Sequence, residues 1–461
     1  MQRAIPFKTA LVILVFAGFI LLPQVFPAFN YYAFDPRNAG SVLDFPLRRA
    51  PEDAAVSPLA SEASLNDLRA RRSAAIAPKN LADPTHALDH FYEALQKGGV
   101  TRVLHYGDSP TTADLITADI RVLLQKEFGN AGTGFVLIAR PWAWYGRRGV
   151  EMQASNWKID IGGNSSLKDG LNGLGAVSFR GGPGAVANWR LKDATHRTVE
   201  VYFLAEPNGG DFTVEAEDQM LGSSSAAAEN AAPGFAHFEI PEGAAHITLR
   251  VTQGSVRLYG VDFRRVDSGV VYSSLGVNGA NITLLSRALN EKHWTEELRH
   301  YDPDLVVINY GTNESGFPQF VDTTWGREMR LAVRRLRTAL PNASILLMSP
   351  MDRGERQQNG EIDTLASIPR LVETEAKVAL DTNVAFFNTF EAMGGQGTMA
   401  RWYAAEPRLV GADYIHPMPA GAKIVGELLF AALREGFQRH KLQELKEKIA
   451  ESNTTTEAGR P

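Results

Sequence analysis

The chain has 461 residues, of which 44% are hydrophobic and 21% are charged, and its formal net charge is -5 at pH 7. This composition is typical of a globular protein with buried cores, and the length favours two folded units. The lack of cysteine excludes disulfides, thiolate catalysis and cysteine-ligated zinc, and the lack of a basic stripe argues against a nucleic-acid partner.

The N-terminal segment predicts where the protein works. Arg3 and Lys8 precede an uncharged apolar run from Ala10 to Phe29, and about 20 such residues are enough to span a bilayer. No convincing small-x-small cleavage site follows, so we prefer a retained signal anchor over residues 1–29 to a cleaved signal peptide. In both cases the positive flank stays in the cytoplasm. We expect the rest of the chain to be exported to the periplasm, either anchored to the cytoplasmic membrane or free after cleavage.

The remainder of the chain divides into five stretches. Residues 30–78, with scattered Pro, Ala, Ser and Arg, predict a flexible tether. Residues 79–149 follow a helix, strand, helix pattern, with the strand over "RVLHYGD". Residues 150–267 show short alternating segments such as "TVEVYFLAE" and "HITLRVTQG", which are typical of an antiparallel β-sandwich or jelly roll. Alternating strands and helices return in residues 268–438, and residues 439–461 predict a charged helix with a disordered tail.

These patterns predict an α/β domain that is interrupted in sequence by an all-β domain. Near-continuous apolar strands such as "DLVVINYG" and "ASILLMSP" alternate with amphipathic helices, which favours a parallel sheet covered on both faces. In such open sheets, ligands bind beyond the carboxyl ends of the strands. The polar side chains that follow each strand are therefore the candidates for function.

Three strand ends carry groups that are suited to acyl transfer. They read GDSP at residues 107–110, GVNG at 276–279 and GTNE at 311–314. A serine nucleophile at Ser109, a glycine N–H and the Asn313 amide are the parts that attack an acyl carbonyl and stabilise its oxyanion. Each stretch by itself also fits an ordinary turn or helix cap. The set as a whole is what indicates chemistry.

His416 is the candidate general base for Ser109. It follows Asp413 by three residues and precedes a helix that Pro419 can open. Within one irregular turn, the carboxylate can accept from one ring nitrogen and leave the other to take the serine proton.

In this order, the GDS stretch, Gly279, Asn313 and Asp413-x-x-His416 resemble the four blocks of the SGNH (GDSL-type) hydrolases. The resemblance implies a three-layer α/β/α fold with a flavodoxin-like parallel sheet. It also implies a catalytic triad of Ser109, His416 and Asp413, with no cofactor and no metal. The oxyanion hole would be formed by the N–H groups of Ser109 and Gly279 and by the Asn313 side chain.

The blocks depart from the family pattern in two places. The first reads GDSP rather than GDSL, and the third reads GTNE where GxND is usual, so Glu314 leaves the supporting hydrogen bonds of that loop open. The glycine block offers two donors. We prefer Gly279 to Gly276 because it follows the loop asparagine, as in the family's usual GxSG pattern.

A narrower resemblance is to the bacterial peptidoglycan O-acetylesterases. It rests on "FGNAGTGFV", "RPWAWYG" and the inserted β-domain, which in those enzymes looks like a carbohydrate-binding module. The resemblance implies a serine esterase that removes O-acetyl groups from peptidoglycan or an exopolysaccharide through an acyl-enzyme. Trp142, Trp144 and Tyr145 would then offer ring faces to sugars, or else pack between the two domains.

Other functions stay open from the sequence. An O-acetyltransferase acting on the same glycans would use the same triad, with a sugar hydroxyl in place of water. His86 and His90, four residues apart, would suit a metal-dependent deacetylase if a third ligand were present. A non-catalytic glycan-binding protein on the same fold is the third alternative. The oligomeric state is left undetermined.

Overall fold

The computed structural model describes residues 80–458, with side chains described as far as Ile449. The predicted signal anchor and tether, and the last three residues, lie outside this range. None of the described helices is both long and apolar enough to cross a membrane.

The described chain begins with α/β elements, continues through a series of strands, and returns to α/β elements. The first part contains β1 (Leu81–Ala82), α1 (Asp89–Lys97), β2 (Val100–Gly107), α2 (Ser109–Thr112), α3 (Ile116–Phe128) and β3 (Gly132–Leu137). The second contains β4 (Val150–Ser155), β5 (Lys158–Ile161), β6 (Val177–Gly181), β7 (Val186–Leu191), β8 (Thr198–Ala205), β9 (Asp211–Ala216), β10 (Gln219–Ser225), β11 (Ala232–Glu239), β12 (His246–Gln253) and β13 (Val256–Arg264).

The last part completes the α/β domain. It contains β14 (Gly269–Gly276), α4 (Glu291–Tyr301), β15 (Leu305–Asn309), α5 (Pro318–Phe320), α6 (Gly326–Ala339), β16 (Ser344–Met348), β17 (Gly354–Arg356), β18 (Ile362–Thr364), α7 (Ser367–Asp381), β19 (Ala385–Phe387), α8 (Thr389–Ala392), α9 (Thr398–Ala404) and α10 (Pro419–Ala458). Short π-helical turns cover Leu284–Ala288 and Val321–Trp325, and a 3₁₀ turn covers Glu314–Gly316.

The central sheet has the strand order β1-β19-β16-β15-β2-β14. Its last five strands are parallel, and β1 adds to one edge in antiparallel orientation. The chain leaves β2 to form β14 on one side and then crosses to form β15 on the other. The carboxyl end of β2 is therefore a topological switch point, where open α/β sheets bind their ligands.

Helices cover both faces of this sheet, as the sequence predicts. One face packs on α1, α3 and α10 through residues such as Phe91, Ile120 and Val425. The other face packs on α4, α6 and α7 through residues such as Trp294 and Met329. Alternate residues of each strand enter opposite cores, which is why the strands are apolar along their whole length. The α/β/α layers are those of the predicted fold class.

The inserted strands form two packed antiparallel sheets. One has the order β10-β9-β12-β7-β4, and the other has the order β11-β8-β13-β6-β5. β3 lies before the predicted insert but pairs with β13, so this strand joins the antiparallel sheet. The predicted domain limits themselves stay predictions.

The helix predicted directly after Ser109 is broken. α2 ends at Thr112, and α3 begins at Ile116, because Asp114 adopts a left-handed backbone with a φ of 53°. Its buried carboxylate accepts two hydrogen bonds from Arg121, at 2.9 and 2.7 Å, and one from the backbone N–H of Arg148 at 2.8 Å. Tertiary ion pairing thus overrides the helical periodicity.

The C-terminal helix is longer than its apolar pattern predicts. α10 buries Ala422, Val425, Leu429 and Leu433 at helical spacing and continues without a break through the charged segment to Ala458. Beyond the domain surface its apolar residues Leu442 and Leu445 are more than half exposed.

Candidate active site

The strand-to-helix corner after β2 holds Ser109 at the first position of α2. Gly107 is required there, because a Cβ atom would lie 2.2 Å from Oγ1 of Thr111. Asp108, the residue before the helix, is buried and accepts a hydrogen bond from the backbone N–H of Thr312 at 3.1 Å. Burial raises the pKa of this carboxyl to about 7. The corner is thereby tied to the loop that follows β15.

The loop before α10 brings His416 to Ser109. Nε2 of His416 lies 2.8 Å from Oγ of Ser109, and Nδ1 lies 2.6 Å from a carboxylate oxygen of Asp413. The other oxygen of Asp413 accepts the backbone N–H groups of Ile415 and His416, at 3.0 and 3.1 Å. Because an ionised carboxylate only accepts, Nδ1 carries the proton, and Nε2 is left free to accept from the serine hydroxyl. Ser109 is thus engaged by an imidazole rather than by helix-capping contacts.

The electrostatics of this pair favour a charged imidazolium. The hydrogen bond to Asp413 raises the pKa of His416 above its usual value, against the opposing effect of partial burial. Burial works against ionisation of Asp413, but the hydrogen bonds from His416 and the backbone outweigh it, and the pKa of this carboxyl is lowered. The imidazole is therefore stabilised in the state that it would reach after taking a proton. Both side chains remain partly exposed, which leaves the site open to a large substrate.

The two glycines of the GVNG loop have different environments. Gly276 ends β14 beside Gly107, and a Cβ atom there would lie 2.5 Å from the backbone nitrogen of Thr112. Gly279 lies in a left-handed turn with a φ of 71° and open space where a side chain would stand. Gly276 is thus packed against α2, whereas Gly279 faces open space.

Asn313 reaches across to the same glycine loop. Its Nδ2 donates to the carbonyl oxygen of Ala280 at 2.7 Å. An amide nitrogen carries two hydrogens, so this bond leaves the second hydrogen for another acceptor.

Glu314 supports both loops, although the sequence departs from the family pattern at this position. Its carboxylate accepts the backbone N–H of Ile282 at 2.7 Å and that of Gly311 at 3.1 Å. The side chain is buried, and burial raises its pKa to about 8, against the lowering effect of the bond from Ile282. The hydrogen bonds that the sequence left open are therefore made by the glutamate.

Arg353, which the sequence analysis did not select, also holds the Asn313 loop. It follows β16, the next strand along the sheet, and its Nη1 donates to the carbonyl oxygen of Thr312 at 2.9 Å and to Oγ of Ser315 at 3.0 Å. Its signal in the sequence is a basic residue shortly after the apolar strand "SILLM". The same rule that selected the other strand ends would have found it.

The three aromatic residues predicted to contact sugars differ in exposure. Tyr145 is buried, and its hydroxyl accepts the backbone N–H of Leu137, so its ring cannot meet a sugar. Trp142 is partly buried and packs edge-on against Tyr145. Trp144 is 50% exposed and is the one of the three that offers its ring to solvent.

His86 and His90 do not converge on a common point. His86 precedes α1 and has a left-handed backbone. Its Nδ1 lies 3.5 Å from Oδ2 of Asp89, whereas Nε2 of His90 lies 3.5 Å from Oδ1 of Asp304. Asp304 immediately precedes β15, so this pair lies at the edge of the sheet opposite to Ser109. Among the side chains described between residues 80 and 449, no group of three or more His, Asp or Glu residues is arranged to hold a metal ion.

Comparison with known proteins finds one family model that matches part of the chain. Residues 250–424 match the model of the GDSL-like Lipase/Acylhydrolase family. This range includes Gly279, Asn313, Asp413 and His416 but begins after Ser109, which precedes the inserted strands. No curated protein matches the chain.

Among solved structures, a peptidoglycan O-acetylesterase superimposes with a TM-score of 0.66 at 23% identity, covering 78% of this chain and 99% of its own. At this identity the likeness shows a shared fold. A family two carbohydrate esterase from Clostridium thermocellum matches at 16% identity with a TM-score of 0.27, covering 61% of this chain and 99% of its own. A GDSL-like lipase from Parabacteroides merdae matches at 18% identity with a TM-score of 0.28, covering 36% of this chain and 72% of its own. These two scores are too low to bear on the fold.

The family match and the shared fold agree with the resemblance that the sequence motifs carry. Residues 250–424 therefore resemble a GDSL-like lipase/acylhydrolase domain, and the chain, with its inserted all-β region, shares the fold of a peptidoglycan O-acetylesterase.

Proposed function

We propose that the protein is an O-acetylesterase that removes acetyl groups from a cell-envelope glycan, peptidoglycan or an exopolysaccharide. The observation that carries this proposal is the relay Ser109–His416–Asp413, with contacts of 2.8 and 2.6 Å at the switch point of a GDSL-type fold. The open position of the relay suits a polymer whose acetyl groups project from a long chain.

In the proposed reaction, Oγ of Ser109 attacks the acetyl carbonyl carbon while its proton passes to Nε2 of His416. The oxyanion is stabilised by the N–H groups of Ser109 and Gly279 and by the Asn313 amide. The imidazolium then returns its proton to the leaving sugar oxygen, which gives acetyl-Ser109 and a free hydroxyl. Water, activated by the same imidazole, hydrolyses the acetyl-enzyme to acetate. Asp413 holds the imidazole in the tautomer that both steps need.

The open turn at Gly279 supports its choice as the donor over Gly276, which packs on α2. The exposed ring of Trp144 supports a role in holding a sugar face. We place the protein on the periplasmic side of the cytoplasmic membrane, because Arg3 and Lys8 precede an apolar run long enough to span it.

The proposal is tested by measuring the acetate that the protein releases from a small ester and from acetylated polymers. The full chain, purified in detergent, is given 4-nitrophenyl acetate and, separately, O-acetylated and chemically de-acetylated peptidoglycan and exopolysaccharide. We expect acetate from the small ester and from one acetylated polymer, and no release by the Ser109→Ala variant. Hydrolysis of the small ester without release from either polymer would refute the glycan substrate. Addition of a non-acetylated sugar acceptor, with mass spectrometry, tests transfer: an acetylated acceptor would identify the protein as a transferase.

A further inference from the structure

We propose that Glu314 is a positioning residue that holds the two oxyanion-binding loops in register with each other. The inference rests on the proposed function, because it concerns how the donors of that reaction are kept in place. Glu314 is the position at which the block GTNE, residues 311–314, differs from the usual GxND pattern, and the inference gives this difference a role.

The loops concerned follow two different strands. The glycine loop follows β14 and carries Gly279, and the asparagine loop follows β15 and carries Asn313. β14 and β15 flank β2 on opposite sides, so no ladder of the sheet joins them directly. Their relative position must therefore be set by contacts beyond the strand ends.

Glu314 provides such a contact with both of its oxygens. One accepts the N–H of Ile282, three residues after Gly279, and the other accepts the N–H of Gly311, two residues before Asn313. The side chain is 2% exposed, so water does not compete for these bonds. The Asn313 amide makes a further bridge by donating to Ala280. One carboxyl group thus bonds to both loops. It holds the Asn313 loop in a fixed position relative to the glycine loop, and this position sets the direction of the second amide hydrogen of Asn313.

The length of the glutamate matters for this role. An aspartate is shorter by one methylene group and cannot reach Ile282 and Gly311 with both oxygens from the same backbone position. A glutamine has the right length, but its amide nitrogen cannot accept a hydrogen bond. Glu314→Gln therefore preserves size and burial while releasing one of the two loops.

Glu375 supplies a matched control. It is a second fully buried carboxyl that interacts electrostatically with Glu314, and its oxygens make no hydrogen bond with the described residues. Glu375→Gln removes a buried acid that interacts with Glu314, and it breaks no hydrogen bond to either loop. The control distinguishes the loss of a buried acidic group from the loss of the contact between the two loops.

The test measures kcat and KM on 4-nitrophenyl acetate, with active sites counted by a fluorophosphonate probe. Removal of one oxyanion donor costs about 10²- to 10³-fold in kcat, so misplacing Asn313 is bounded by that range. We expect Glu314→Gln to lower kcat per active site by about 10- to 100-fold with KM changed by less than about threefold. The inhibition constant of a boronic acid, which forms a tetrahedral adduct with the serine, should rise by a similar factor. Glu375→Gln should leave kcat within about twofold.

A double-mutant cycle shows whether Glu314 acts through Asn313. In the Asn313→Ala background, Glu314→Gln should cost less than about threefold, because the donor that it positions is already gone. The inference would be overturned if the fall in kcat of the double variant equalled the product of the falls in the two single variants. A kcat for Glu314→Gln within twofold of wild type would also overturn it. If Glu314→Gln does not fold, Glu314→Asp takes its place, with the same expectations. Failure of the proposed function is distinguishable, because the wild-type protein would then neither hydrolyse the ester nor take up the probe at Ser109.

Discussion

Replacing Ser109 with alanine should abolish hydrolysis while leaving the fold almost unchanged. The substitution deletes one oxygen atom from a half-buried side chain, and the bond lost is that to His416 at 2.8 Å. A hydrogen bond contributes about 1 kcal/mol net, which for a chain of this size corresponds to a shift in Tm of no more than about 3 °C. The loss of an activated nucleophile instead costs on the order of 10⁶ in kcat in subtilisin. We therefore expect kcat to fall by at least about 10³-fold. The activity that remains would come from the oxyanion donors.

The assay for this prediction pairs thermal melts with ester hydrolysis and with labelling by a fluorophosphonate. Ser223, exposed on β10 in the inserted region, serves as the control, and Ser223→Ala should match wild type in all three measurements. If Ser109 served only to begin α2, the alanine variant would also lose about 1 kcal/mol of stability, but it would keep its rate and its labelling. That result would refute the triad.

Three further predictions follow from the site. Because the bond to Asp413 raises the pKa of His416 and the base must be neutral to accept a proton, kcat/KM should rise with pH through a midpoint above 6.5. Asp413→Asn should move that midpoint towards lower pH and lower the rate; an unmoved midpoint would contradict the assignment. Activity should survive prolonged chelation and be lost to a sulfonyl fluoride, whereas loss on chelation with recovery on adding zinc would favour His86 and His90. Trp144→Ala should reduce acetate release from the polymer more than from the small ester, with exposed Ile159→Ala as the control, and equal losses would argue against a sugar contact.

The central sheet could be predicted because of how parallel strands are buried. β15 and β16 read "LVVIN" and "SILLM", with every residue buried, and such runs are typical of strands covered on both faces. β10, which reads "QMLGSSS", was not predicted because it is an edge strand with most of its residues exposed or partly exposed. Without an apolar face it carries no alternating pattern.

The break between α2 and α3 could not be predicted for a different reason. Residues 112–128 have an uninterrupted helical periodicity, and nothing local marks Asp114 as a stop. The break depends on Arg121 and on a backbone N–H of the loop at Arg148, and the latter contact forms only once the tertiary structure is in place. Local patterns do not contain such information.

The candidate site was accessible from sequence because of a topological rule. Residues at the carboxyl ends of neighbouring parallel strands share one edge of the sheet, so Ser109 and Asn313 could be expected to lie near each other. The rule does not specify how one loop is fixed to another. The bonds from Ile282 and Gly311 to Glu314 depend on side-chain length and on two loop conformations together. The motif therefore located the candidate donors, and the structure shows the hydrogen bonds that join their two loops.

The relation between the inserted strands and the hydrolase domain changes how glycan binding must be tested. β3 pairs with β13, and Nε1 of Trp189 donates to the carbonyl oxygen of Leu137 at 3.3 Å, so the two parts share one continuous core. Deleting residues 150–267 would leave β3 without its partner strand and expose this core to water, at roughly 25 cal/mol for each Å² of apolar surface. Loss of activity after such a deletion would report unfolding rather than lost binding. Substitutions of exposed strand residues such as Gln153 leave the shared core intact, and they are the changes from which a contribution of the insert to polymer binding can be measured.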